Sequence, residues 1–493
     1  MHKDPLALVP EILLLLGAVV TLLTGSFLPR GRQWIARAAA AAALVGSLVA
    51  AALAAPGTDR TVYAGTYALD GATDAVRVVV PAAALTVLAL AGGRVRGDRR
   101  ETEFCVLVLL GSLGSVLLAG ASDLLLLAVA YLLASIPLYA LAGWGRDARG
   151  AEAALKLYLL GVLLGITMLL GTAVLYGLGG ATDYATLADG LDGAPRAALV
   201  VGTVALLAGP LFKAGAVPAH FWVPDAASGA TVPAAAFLTT VPKIGALVAL
   251  YRVLTVLPEQ AADWRLLLAV LAAASMTLGN LAAFAQTDPL RLLGYSTISQ
   301  VGYLLMALAV VERADALRAL LLYLAAYAAT NLGVFAVAAA LPRLRTLAAY
   351  RGLGRHRPWL AAALTVCLLG LVGTPPTAVF TGKLTVFSAT WDGGAAWLVV
   401  VAAVNTLASL FYYLRWIAPA LSVGAPGPRP EPAENGDGED DGGDGHEGHG
   451  QTAATAVPER WAAGTALAAA AATLVLGAGA GWVLSLLSGT LVR

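Results

Sequence analysis

The chain has 493 residues, of which 59% are hydrophobic and 12% charged, with a mean hydropathy of +0.79 and a formal net charge of +1. A soluble domain carries about 25% charged residues, so this composition excludes one and leaves nothing to support a nucleic-acid role. Cys105 and Cys367 lie far apart in apolar runs without CxxC or metal-ligand spacing, and read as small buried hydrophobes.

The fold class this predicts is an all-α membrane protein, with room for roughly fourteen spans of about 20 residues. Apolar runs place them at about 6–28, 34–55, 75–93, 104–122, 124–143, 153–176, 197–222, 232–254, 264–285, 292–311, 316–341, 359–388, 395–417 and 461–487. No cleavage pattern follows the first run, so it is expected to stay as an anchor. Spans seven and twelve are expected to be interrupted. Pro210 and Pro218 lie in the first, and Gly373, Pro375, Pro376 and Gly382 in the second.

Those interruptions sit in corresponding places of two five-helix blocks, 104–254 and 264–417, which suggests an internal repeat. Five is odd, so consecutive copies would be inverted. A three-helix segment, 1–103, precedes the blocks. A Pro-, Gly- and acid-rich linker, 423–459, and a last helix within 460–493 follow them. The linker is expected to be disordered, and its His446 and His449 read as parts of a solvated low-complexity tract.

The odd-numbered loops hold most of the arginines, so they are expected to be cytoplasmic with both termini outside. Arg60, Arg77, Arg196 and Arg252 are counted among the fewer charges of the opposite side. Lys156, Lys213, Lys243 and Lys383 fall inside spans instead. Arginine is effectively always charged, whereas a desolvated lysine gives up its proton readily. Part of that division also fits a GC-rich coding bias. An ionisable residue inside a bilayer costs about 2.5–3.5 kcal/mol on insertion scales and is functional by default. Lys213 and Lys243 lie in the stretch GPLFKAGAVPAHFWVPDAASGATVPAAAFLTTVPK, 209–243, whose prolines disturb its helices. Broken helices are tolerated where they are buried in protein or line a watery cavity.

Several motifs agree in order: FKAGAVPAHFWVPDA, VPK, DPLRLLGYSTISQVGY, YLAAYAATNLGVFA, YRGLGRHRP, GTPPTAVFTGK and SLFYYLR. Together they resemble the antiporter-like membrane subunits of respiratory complex I. LVPEILLLLG and EAALKLYLLG look most like the N-type branch of the bacterial NADH:quinone oxidoreductase. The resemblance covers the chain from about Pro10 to Arg415. It implies fourteen transmembrane helices, two inverted five-helix repeats and discontinuous helices seven and twelve. It implies that Lys213, Lys243 and Lys383 form a proton-transfer axis along the membrane midplane, with Lys156, Glu152 and His220 matching further family positions. It implies partners too: the other membrane and peripheral subunits of a complex I-like assembly in a bacterial cell membrane. NADH, FMN, iron–sulfur clusters and quinone would act elsewhere in that assembly, with no cofactor in this chain. The chain carries no Gly-rich dinucleotide motif and no cysteine ligand set.

The sequence departs from the family at the helix-five glutamate. Aligning on Ser135–Ile136–Pro137 puts Leu132 there, and the nearest acid is Asp123 at the mouth of the span. Gln300 stands where N-type subunits commonly carry histidine. Glu152 and Lys156 share a helix face as an i, i+4 pair, which is expected either to serve the proton route or to neutralise itself near the interface. Glu11 reads as a first-turn residue favoured by the helix dipole, and Asp225 as a loop or cap residue. Tyr295, Ser296 and Asn331 are candidates to hold water or helix contacts. Three readings stand: a proton-translocating subunit; a non-pumping structural paralogue, motivated by Leu132; and a subunit of a multisubunit sodium/proton antiporter or membrane hydrogenase.

Overall fold

The computed structural model describes residues 4–54, 59–93, 95–96, 98–258, 263–422, 459–487 and 491–492. Apolar runs form helices because a backbone in lipid must satisfy its hydrogen bonds within the segment. The N-terminal part holds α1 (Val9–Phe27), α2 (Trp34–Ala54) and α3 (Gly71–Ala91), with a short antiparallel hairpin, β1 (Arg60–Val62) and β2 (Tyr67–Leu69), before α3. The next stretch holds α4 (Glu101–Gly120), α5 (Leu124–Leu133), α6 (Ile136–Ala142), α7 (Ala148–Gly179), the short α8 (Tyr184–Gly190), α9 (Arg196–Ala214), α10 (Trp222–Gly229) and α11 (Val232–Leu254). Then come α12 (Trp264–Phe284), α13 (Pro289–Leu308), α14 (Ala316–Ala340), the one-turn α15 (Leu353–His356), α16 (Pro358–Val372), α17 (Ala378–Asp392) and α18 (Ala396–Leu421). The chain closes with α19 (Arg460–Ala478) and α20 (Ala480–Leu486). Aspartates start many of these helices: the side chains of Asp70, Asp123, Asp147, Asp183, Asp263 and Asp288 accept first-turn amides.

Among the described residues, 12 helical segments are long and apolar enough to cross a membrane. The buried α13 and the shorter apolar α16 stand beside them. Spans seven and twelve are both interrupted, as α9/α10 and α16/α17. The two breaks are capped alike. Gly215 (φ +80°) and Gly373 (φ +90°) adopt the left-handed conformation that glycine tolerates, and each donates its amide to the carbonyls three and four residues back. Span five also breaks, between Leu133 and Ile136, where sequence periodicity predicts one continuous helix. Pro137 lacks the amide that would carry the ladder through.

Helix α11 is buried along its whole length, and α13 and α14 nearly so. Close approach at the centre depends on Gly245, where a Cβ would fall 2.1 Å from the carbonyl oxygen of Ser115. The outward faces of α1, α7 and α18 carry exposed apolar side chains such as Leu16, Leu163 and Val400, as a lipid-facing surface requires.

Two arginines depart from their expected place. Arg77 and Arg252 are not loop charges; each is buried inside a helix against a carboxylate. Arg77 Nε donates to Glu11 Oε1 at 2.7 Å and its Nη2 to Glu11 Oε2 at 2.9 Å, while Tyr67 donates to Glu11 Oε1 at 2.6 Å. Glu11 does lie in a first turn, but this buried pairing holds it more firmly than the helix dipole. Arg252 forks onto Asp70 at 2.8 and 3.0 Å. Arginine is therefore not confined to loops. Lys3, Arg94, Arg429 and Arg493, the expected disordered linker up to residue 458, and His446 and His449 lie outside the described residues.

Candidate functional site: three buried lysines

Lys213, Lys243 and Lys383 are 3%, 1% and 3% exposed. Burying a charge without a partner is costly, so the surroundings of each ammonium carry the chemistry. Among the described residues, none of the three pairs with a carboxylate.

Lys213 lies in the last turn of α9, two residues before the left-handed Gly215. The partial negative charge at a helix C-terminus favours a cation there, by about 0.3–1 kcal/mol and up to about 2 when partly buried. Its Nζ donates to Ser135 Oγ at 2.6 Å and lies 4.6 Å from the centroid of the Tyr131 ring. Ser135 donates in turn to the carbonyl of Tyr131 at 2.6 Å, which leaves a hydroxyl lone pair for the lysine. The break in span five thus sits where the ammonium is held. Leu132, one residue from Tyr131, is 45% exposed.

Lys383 reaches an equivalent place from the opposite half-helix. It lies ten residues after Gly373, and its Nζ donates to the carbonyl of Val372 at 2.9 Å, with that of Leu371 at 3.5 Å. Leu371 stands two residues before its glycine, the position Lys213 holds before Gly215. Lys213 itself and the carbonyls that hold the Lys383 ammonium therefore both lie at the C-terminal end of the first half of a broken helix. Lys383 also lies 4.0 Å from the Tyr303 ring centroid. Desolvated cation–π contacts contribute about 2 kcal/mol or more.

Lys243 is in the middle of α11, 5.3 Å from the Tyr327 ring centroid, with no hydrogen-bond partner on its Nζ among the described residues. Between it and Lys383 lie polar stripes on two apolar helices. Helix α13 contributes Ser296, Thr297, Gln300 and Tyr303, and α14 contributes Tyr323, Tyr327 and Asn331. Thr297 Oγ1 and Tyr327 Oη are 2.9 Å apart, and Tyr327 donates to the carbonyl of Thr239 at 3.0 Å. Asn331 donates to Thr240 Oγ1 at 2.9 Å, while Ser296 and Tyr413 hydroxyls meet at 2.5 Å. Gln300 is fully engaged: Nε2 donates to the Leu371 carbonyl at 2.9 Å, and Oε1 accepts from Tyr323 at 2.6 Å. It therefore ties the second break to α13 and α14. Tyr295, by contrast, lies under Arg291, 5.9 Å from ring centroid to guanidinium.

The remaining sequence-derived candidates lie apart from this row. Lys156 Nζ contacts Glu152 Oε1 at 2.6 Å and Asp225 Oδ2 at 2.8 Å, and is 44% exposed. Asp225 also accepts from Arg291 at 2.7 Å. It is neither a loop nor a cap residue: it sits in the first turn of α10 and joins two cations from different helices. His220, in the turn before α10, stacks on Phe221 at 4.4 Å, with a buried Nδ1 that has no partner. Tyr303, Tyr323 and Tyr327 lie within the quoted motifs and Tyr131 outside them, but the sequence assigns a role to none of the four. Their signal was there, as polar residues spaced three or four apart in otherwise apolar helices. Among the described residues, no group of three His, Cys, Asp or Glu is placed to hold a metal ion.

The fold and site define a multi-pass helical membrane protein that buries ionisable side chains, two of them beside broken helices. The family model described as NADH:quinone oxidoreductase/Mrp antiporter, TM, matches residues 121–409. The chain is 58% identical to NADH-quinone oxidoreductase subunit N 1 of Streptomyces griseus subsp. griseus over 99% of its own length and 98% of that protein's. It superposes on a chain of respiratory complex I from Thermus thermophilus with a TM-score of 0.79 and 32% identity, covering 98% of this chain and 100% of that one. It superposes on a chain of the Mrp complex from Dietzia sp. with a TM-score of 0.81 and 25% identity, covering 98% and 96%. The chain belongs to the antiporter-like membrane subunits of NADH-quinone oxidoreductase, within the subunit N group. It is thus a multi-pass membrane component of a multisubunit oxidoreductase, and the redox site lies in other subunits.

Proposed function

We propose that this chain moves protons across a bacterial cell membrane through Lys213, Lys243, Lys383 and intervening water, driven by electron transfer elsewhere in the complex. NADH, FMN, iron–sulfur clusters and quinone serve that electron transfer in partner subunits. The observation that carries the reading is the burial of three lysines, two of them beside like-built helix breaks and one in the middle of α11, with no carboxylate on any of them among the described residues. A lysine so desolvated exchanges its proton far more readily than an arginine would. Blocks 104–254 and 264–417 act as the two halves of the path. Glu152, Lys156 and His220 serve the entrance near Lys213, and the odd-numbered loops face the cytoplasm with both termini outside.

The test is the number of protons moved per electron in vesicles bearing the assembled complex, with the native chain and with Lys213→Ala or Lys383→Ala. The reading expects a drop in both variants at equal assembly. An unchanged ratio overturns it and favours the second reading, a subunit that keeps the antiporter fold without pumping. The observation behind that second reading is the lack of an acid beside Lys213.

A further inference from the structure

We infer that tyrosine ring faces take the place of carboxylates in holding the ammonium groups of this axis, with Tyr131 the positioning residue for Lys213 and Tyr303 that for Lys383. The inference rests on the proton-transfer reading above and names what meets each ammonium. Each lysine of the row has one tyrosine ring beside its Nζ, at 4.6 Å for Tyr131, 5.3 Å for Tyr327 and 4.0 Å for Tyr303. All three rings are 1% exposed or less.

The rings are held by other groups, so the face that meets the cation is set in advance. Tyr131 Oη donates to the carbonyl of Gly161 at 3.3 Å, and a Cβ at Gly165 would lie 3.0 Å from its ring edge. Helix α7 therefore keeps glycines where the ring packs. Tyr303 Oη accepts from Thr406 at 3.1 Å. Tyr131 lies one helical turn before Ser135, so ring face and hydroxyl reach the same ammonium from one side.

The chemistry differs from that of an ion pair. A carboxylate at hydrogen-bond distance attracts the ammonium but can also take its proton. A ring face attracts the positive charge through its quadrupole and has no lone pair aimed at the ammonium. The proton leaves only toward water or the next polar group. An axis with ring faces therefore favours the ammonium when it forms, without adding a carboxylate stop to the route.

The experiment uses the whole complex in vesicles, with residue 131, and separately residue 303, replaced by phenylalanine and by its mono-, di- and trifluorinated analogues. Fluorine weakens the ring face and nearly preserves its shape. Protons per electron should hold with phenylalanine and fall stepwise with fluorination, by about twofold or more at the trifluoro ring. Tyr131→Leu should match the weakest ring, and Tyr131→Phe should restore what Leu loses. A flat series, or a loss already complete with phenylalanine, overturns the inference. Lys213→Ala measured alongside separates the two claims: a drop there with a flat series removes the tyrosine role and leaves the lysine axis standing.

Discussion

Asp70 and Arg252 form a buried pair, although the sequence counts Arg252 among the charges of one membrane side. Burial pushes the Asp70 carboxyl up, but the Arg252 guanidinium, with amide hydrogen bonds from Thr73 and Val492, outweighs it and holds the carboxyl below the usual carboxylate range. A carboxyl held low contributes stability that is complete above its unfolded value of about 3.9. That contribution is lost as pH falls through the lower folded value. The gap in melting temperature between native protein and Asp70→Asn, measured in detergent, should thus stay constant above about pH 5 and close below about pH 4. A gap that persists at lower pH would mean the carboxylate charge is not what stabilises α11 against α3. Arg252→Ala leaves Asp70 buried without its cation, and should cost about 3–5 kcal/mol, read as a lower melting temperature at neutral pH. The same physics explains why motif reading found Lys213 and Lys243 but not Arg77 and Arg252. A charge near a predicted helix end looks like a loop charge until its partner, distant in sequence, is known.

The two breaks are the elements on which the site depends. Gly215 and Gly373 both stand at positive φ, where a Cβ costs about 1–2 kcal/mol. At Gly373 an added Cβ would also lie 3.0 Å from the Lys383 side chain, and at Gly215 it would lie 2.7 Å from Val223. Gly373→Ala should therefore lower protons per electron more than its modest loss of stability accounts for, because Lys383 must move off the Val372 carbonyl. Gly352→Ala, also at positive φ but with 3.9 Å of clearance, is the control with similar backbone strain. Equal effects of both on pumping would refute the positioning role of the cap. The breaks in spans seven and twelve were legible because proline and glycine mark them directly in the sequence. The break in span five was not, because Pro137 stands there without a glycine inside a continuous apolar run that reads as one helix.

At the scale of the whole molecule, Asp225 ties α10 to α7 through Lys156 and to α13 through Arg291, which are 69 and 66 residues away in sequence. Asp225→Ala should lower stability by about 1.5–3 kcal/mol, the range for hydrogen bonds to charged groups, and Asp225→Asn by less. A double-mutant cycle with Lys156→Ala reads the coupling, and additive effects would show that the three-helix link does not hold α10. The sequence by itself determined the class, the order of the spans, the breaks in spans seven and twelve and the three lysines inside spans. Each of these depends on local composition: apolar length, proline and glycine, or a charge surrounded by apolar neighbours. Only the tertiary structure decided what meets each lysine. Tyr131 with Ser135, Tyr327, and Tyr303 with the Val372 carbonyl are brought in by helix packing between residues far apart in the chain. The polar spacing marks these tyrosines in the sequence but not what each of them meets, because a tyrosine in an apolar helix looks the same whether its ring faces lipid, another ring or a buried ammonium.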